Sequence, residues 1–122
     1  MNLGIGTTMG EEIARYLDLA TSEAKVTAAN MANIDTPGYR TVGFDFEAEM
    51  RSAIASADQG QPAASPHVRN VDGLISRPDG NNVSMDREGL NLADAQLKFR
   101  TGVALLRVEN QRIIDAIHAQ DK

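Results

Sequence analysis

From Asp86 to the C-terminus the chain has no proline, and Leu92, Gln96, Phe99, Val103, Leu106, Asn110, Ile113 and Ile117 follow one another at alternating steps of four and three residues. Such spacing returns side chains to one face of an α-helix, so almost four heptads of it predict a single long helix whose seam meets another helix. At ~1.5 Å per residue that helix runs about 45–50 Å. Asp86 is the expected N-cap, with Glu88 placed where the positive end of the helix dipole favours a carboxylate. Gln96 and Asn110 fall at core-type positions, where a buried amide costs stability and penalises shifted registers.

A second, slimmer seam lies near the N-terminus. Between Glu11 and Asn33 there is neither Pro nor Gly, and Ile13, Leu17, Ala20, Ala24, Thr27 and Met31 again step by four and three. Ala20, Ala24 and the neighbouring Ala28 let a second helix backbone come close. Thr8 or Gly10 is the expected cap. Pro37 disfavours helix at Thr36 and ends the run, and Thr36-Pro37-Gly38-Tyr39 has the order of a type II turn, with Gly38 at the position that requires positive φ. The Asn30 and Asn33 amides are expected to satisfy the last carbonyls of the helix, and Tyr39 to pack back with its hydroxyl to spare.

The architecture expected is mainly α: long N- and C-terminal helices pairing as an antiparallel coiled coil, joined by a turn-rich, partly disordered middle. Its divisions fall at 1–40 (first helix and turn), 41–85 (middle) and 86–122 (last helix). Within the middle, residues 42–46 read as a short extended piece and Phe46 to Ala57 as a helical turn or two. Gln59 to Asn82, with Pro62, Pro66 and Pro78, reads as a mobile surface loop, followed by a short strand at Val83-Ser84-Met85. Leu19, Val26, Leu97, Leu105 and Ile114 lie off both seams, a second apolar face that asks for another chain and marks an assembly subunit.

The inventory of chemistry is thin. There is no Cys, and neither His67 nor His118 has ligand-spaced partners, so no metal, cofactor or thiol site is expected. Gly4-x-Gly6 lacks the third glycine and the preceding strand of a dinucleotide loop and reads as a flexible tail. Asp79-x-Asn81 departs from a calcium loop at Val83, Ser84 and Leu90 and reads as a turn. Asp45, Glu47 and Glu49 form a solvated acidic face rather than a catalytic pair. An enzyme is disfavoured. A net charge of −5, all carried by residues 1–59, repels phosphate backbones and argues against nucleic acid, and no apolar run spans a bilayer. The first ten residues lack the basic start and apolar run of a signal peptide, so any export is expected without a cleaved signal.

Asn30-Met31-Ala32-Asn33-Ile34-Asp35-Thr36-Pro37-Gly38-Tyr39 resembles the N-terminal signature of bacterial flagellar rod, hook and hook-associated proteins. A second block, Asp79 to Glu88 followed by Ala93-Asp94 and Leu97-Lys98-Phe99, resembles the lead into the C-terminal helix of the proximal rod subunits. Met31, where Ile or Leu is common, and a short 59–82 loop are the departures. The resemblance implies a structural subunit of the proximal rod, part of the drive shaft and axial channel. It implies passage through the flagellar export apparatus into the periplasm, and helical stacking with paired terminal helices. The partners implied are copies of itself, the rod proteins FlgC and FliE, the MS ring and the export gate. The motif residues carried over are Asn30, Ala32, Asn33, Thr36, Pro37, Gly38 and Tyr39. The assembly seam carried with them is Ile13, Leu17, Ala20, Ala24 and Met31 against Leu92, Phe99, Val103, Leu106, Asn110, Ile113 and Ile117. A coiled-coil adaptor or export-chaperone-like protein that binds a client helix is the alternative reading of the same seams.

Overall fold

A computed structural model describes residues 8–121. The elements are α1 (Thr8–Ala32), β1 (Val42–Gly43), α2 (Phe46–Asp58), β2 (Arg69–Asn70) and α3 (Met85–Gln120). The long helices run antiparallel: Asn30 meets Glu88, Glu23 meets Lys98 and Leu17 faces Gly102, so one number falls as the other rises. At ~1.5 Å per residue the 36 residues of α3 span about 54 Å. α2 packs on α1, and β1 pairs antiparallel with β2. The tail glycines Gly4 and Gly6 lie outside the described residues. Thr8 and Gly10 are both within α1 rather than capping it.

Along α1 the expected seam faces inward, with Ile13, Ala20 and Thr27 buried and Leu17, Ala24 and Met31 half-buried. α3 is rotated by about one position from the expected seam. Its buried residues are Glu88, Ala95, Gly102 and Glu109, a strict seven-residue repeat. Gln96 and Asn110 point outward, Phe99 is 44% exposed and Ile117 55% exposed, while Leu92, Val103, Leu106 and Ile113 flank the contact half-buried. The reason is steric. Heptad spacing of the large side chains favours 92/99/103/106, but backbones approach most closely where side chains are smallest: Gly102 lies against Leu17, and Ala95 borders one space with Ala20 and Ala24. A Cβ added at Gly102 would stand 2.6 Å from Leu17 Cδ2 and 3.1 Å from Tyr16 Cδ1.

Two further corrections concern the leads into α3 and α2. Val83-Ser84-Met85 is not a strand: Ser84 is the N-cap, its hydroxyl accepting from Arg87 N at 3.3 Å, and the helix begins at Met85, ahead of Asp86. The extended piece at 42–46 is only the two residues of β1, because Asp45 caps α2 by accepting from Ala48 N at 3.1 Å. That capping bond gives one of the supposed acidic-face residues a structural job.

Lys98 ties three helices at one point. Its ammonium lies 3.0 Å from Glu23, 2.8 Å from Asp94 and 3.8 Å from the centre of the Phe46 ring, which meets Tyr16 edge-on at 5.7 Å. Burial pushes the Glu23 carboxyl up against the pull of Lys98, whereas the Lys98 hydrogen bond holds Asp94 down. Burial opposes the charge on Lys98, yet the hydrogen bonds it donates to Asp94 and Glu23 outweigh that and hold the ammonium above its ordinary value.

The segment after α2 is stitched down at both ends rather than free. Arg15 Nη2 donates to Gln61 O at 2.7 Å, and Glu49 Oε1 accepts from His67 N at 2.9 Å and lies 2.8 Å from its ring Nδ1. Arg15 is buried, bonds Glu11 through Nε, and leaves Nη1 without a partner.

Gly89→Ala is expected to raise the melting temperature, since nothing lies within 4 Å of the added methyl and alanine gains roughly 0.5–1 kcal/mol of helix propensity. Gly102→Val is expected to lower stability by about 1–3 kcal/mol through overpacking against Leu17 and Tyr16. Thermal melts of the two variants give opposite signs if Gly102 is the close-approach point.

The Glu49 carboxyl is held below its ordinary range, first by the His67 backbone N–H and then by the His67 ring. A depressed carboxylate stabilises the fold above its ordinary pKa and loses that contribution as pH falls through the folded value. The difference in melting temperature between the parent chain and Glu49→Gln is therefore expected to shrink as pH drops below about 4.

Candidate functional site: a buried polar junction between the two motifs

Asn30 sits on the last turns of α1, 1% exposed, and uses all four of its hydrogen-bonding positions. Its Nδ2 donates to Val42 O at 2.8 Å and to Glu88 Oε1 at 2.5 Å. Its Oδ1 accepts from Val42 N at 3.0 Å and from the Tyr39 hydroxyl at 3.1 Å. One amide thus reads both backbone groups of a β1 residue and joins them to α3. Glu88 is fully buried, and its other oxygen accepts from Arg87 Nη1 at 2.7 Å. The side chain expected to cap its own helix is instead a cross-brace, and the Tyr39 hydroxyl is engaged rather than spare. Asn33 does bond its own helix, donating to Ala29 O at 2.8 Å.

Two asparagines from the second motif complete the junction. Asn81 Nδ2 donates to Asn33 O at 2.9 Å and Thr36 O at 2.8 Å, and its Oδ1 accepts from Val83 N at 2.8 Å. Asn82 Oδ1 accepts from Thr41 N at 2.6 Å, and Asn82 N donates to Tyr39 O at 3.3 Å. Arg77 reaches Val83 O at 2.9 Å and also donates to Ile34 O. Asn81, Asn82 and Thr41 are buried, so the end of the supposed surface loop forms part of the core.

The turns fit back to back. Tyr39 N donates to Thr36 O at 3.1 Å and Gly38 has φ 76°, the geometry of a type II turn. Gly38 N then donates to Asp79 O at 2.9 Å across to the Arg77-Pro78-Asp79-Gly80 turn, where a Cβ on Gly80 would lie 3.4 Å from Gly38 Cα. Both glycines are held by φ and by this close approach.

Of the sequence-identified motif residues, Asn30 is buried, Asn33 and Tyr39 are half-buried, and Ala32, Thr36, Pro37 and Gly38 are at the surface. Asn30, Asn33, Thr36, Gly38 and Tyr39 come together with the second motif, while the seam residues from Leu92 onward lie along the helix pair away from it. Sequence reasoning missed Thr41, Asn81, Asn82 and the bracing role of Glu88. The Asn-Asn pair directly after a Pro-Asp-Gly turn was the available signal, since asparagines bond backbone where a chain reverses. Among the described residues no three His, Cys, Asp or Glu side chains are grouped to hold a metal ion, and no helix is long and apolar enough to cross a membrane.

The polar side chains of this junction bond backbone or one another, so the chain reversal between the two long helices is held rigid. A profile of the family described as flagella basal body rod protein matches residues 19–40, the stretch from mid-α1 through the type II turn. The flagellar basal body rod protein FlgB of Salmonella typhimurium is 32% identical over 108 aligned residues, covering 74% of this chain and 78% of that one. FlgB of Yersinia ruckeri is 31% identical with 74% and 79% covered, and FlgB of Cereibacter sphaeroides is 28% identical with 88% and 91% covered. The chain belongs to the flagellar basal body rod protein family.

Asn30→Asp removes the donor to Val42 O or Glu88 and sets two carboxylates in contact, so a loss of about 2 kcal/mol or more is expected. Chemical denaturation of the variant beside the parent chain will show the loss.

Proposed function

We propose that this protein is a structural subunit of the proximal rod of the bacterial flagellar basal body, part of the drive shaft and of the wall of the axial export channel. The single observation that carries this reading is that the block matched by the rod-family profile and the second block, which resembles the lead into that family's C-terminal helix, form one interlocked junction in space, with Asn30, Asn81 and Glu88 bonding across them. A torque-bearing subunit needs such a junction, because a chain reversal between two long helices is otherwise the most compliant point of the molecule. The antiparallel pair supplies length, and the exposed apolar residues of α3 supply lateral contact area. Its neighbours in this reading are copies of itself, FlgC, FliE, the MS ring and the export gate, reached in the periplasm by flagellar export.

The test is recovery of the tagged chain in basal bodies purified after the membranes are dissolved, together with loss of the rod and of motility on deletion. Recovery only in the cytoplasm, bound to a client, would favour an adaptor instead. Leu106→Asp puts a charge beside the α1–α3 contact and is expected to cost several kcal/mol and to abolish complementation with synthesis intact, whereas substitutions at Gln61 to Ser65 on the exposed strap remain motile.

A further inference from the structure

The chain contains two Asp-Gly pairs, Asp72-Gly73 and Asp79-Gly80. In such a pair the backbone nitrogen can attack the preceding side-chain carboxyl, because glycine sets no Cβ beside that nitrogen and leaves the backbone free to turn. The fold treats the two pairs differently. At the second, Gly80 N donates to Arg77 O at 2.9 Å, the Asp79 carboxyl accepts from Asn81 N at 2.9 Å, and Asp79 O accepts from Gly38 N at 2.9 Å. Gly80 is also half-buried against Gly38. Nitrogen and carboxyl are each committed elsewhere, and both bonds must open before the two can meet.

At the first pair both residues are exposed, Gly73 has φ 81°, and a Cβ built on it would have nothing within 4 Å. Among the described residues neither Gly73 N nor the Asp72 carboxyl has a hydrogen-bond partner. The free stretch is short and tied at both ends. Val71 N donates to Thr41 O at 3.0 Å before it, and Ser76 Oγ accepts from Arg40 Nη1 at 2.8 Å after it, with Ile75 92% exposed between them.

The structure assigns Asp72 as a site of spontaneous conversion to isoaspartate, with Asp79 shielded from the same reaction by the junction. The Gly73 nitrogen attacks Cγ of Asp72 and closes a succinimide: the N–Cγ bond forms, a Cγ–O bond breaks, and that oxygen leaves as water with the protons of the acid and the amide. Water then adds to the main-chain carbonyl of Asp72 and breaks its bond to Gly73 N, so the chain afterwards runs through Cγ and the former backbone carbon is a free carboxylate. Nothing is oxidised or reduced, and water is the only co-reactant. The product adds one carbon to the backbone in a stretch where no bond of the fold is lost, whereas the same change at Asp79 would displace the carbonyl that holds Gly38. This goes beyond the rod-subunit reading and does not depend on it.

The test keeps purified full-length protein at neutral pH and physiological temperature for several weeks and locates isoaspartate residue by residue by electron-transfer fragmentation of its peptides. Conversion at Asp72 is expected to exceed that at Asp79 by about tenfold or more, with the melting curve unchanged. In concentrated urea the two are expected to convert at rates within a few-fold of each other, since only the fold separates them. Asp72→Glu keeps the charge but would have to close a larger ring, and is expected to abolish conversion at that position. Comparable conversion of the two in the folded chain, none at Asp72, a tenfold difference that persists in urea, or a melting temperature that falls as Asp72 converts overturns the proposal.

Discussion

The carboxamide of Asn30 is the point on which the rest of the molecule depends. A buried amide is costly unless every lone pair and N–H is matched, and here the four are matched by three separate parts of the chain: β1 twice, Tyr39 at the end of the turn, and Glu88 at the start of α3. Those bonds form together only if α1, the turn and α3 take one relative position. A fully satisfied polar network therefore does in this protein what a large apolar core does in others: it selects a single arrangement of elements that have few big side chains to choose by.

The same scarcity explains the helix pair. With Ala20, Ala95 and Gly102 at its centre, the seam gains from close backbone approach and dispersion rather than from buried bulk. Bulk is displaced to the outside, where Leu97, Leu105 and Val108 remain exposed. Such a monomer is held by geometry at one end and by small-residue packing along its length, and leaves its apolar area for neighbours. This suits a part whose stability is shared with an assembly.

Charge follows the same division. Lys98 is enclosed with Glu23, Asp94 and the Phe46 ring, fastening α2 to the pair from one flank, while Arg100 and Arg107 face out on α3. The acidic surplus of the first half therefore does not simply keep the chain soluble. Part of it caps α2 through Asp45, part pins the segment after α2 through Glu49, and part pairs the buried Arg15 through Glu11.

Period, proline and glycine are local properties, and they made the long helices, the stop before Pro37 and the positive φ of Gly38 legible in the sequence, because each is dictated by neighbours within one or two turns. The α1 seam was legible for the same reason. The face of α3 was not: Gln96 and Ala95 are one residue apart, both lie within reach of a helical seam, and only the approach of α1 to Gly102 decides between them. Nor did the sequence reveal that Asn30, Asn81, Asn82 and Glu88 share one network, since an amide's partner 58 residues away leaves no periodic trace. The elements were determined locally by steric and backbone constraints. Which faces met, and which polar groups were buried together, was decided only by tertiary structure, because hydrogen bonds between distant segments exist only once the chain has closed on itself.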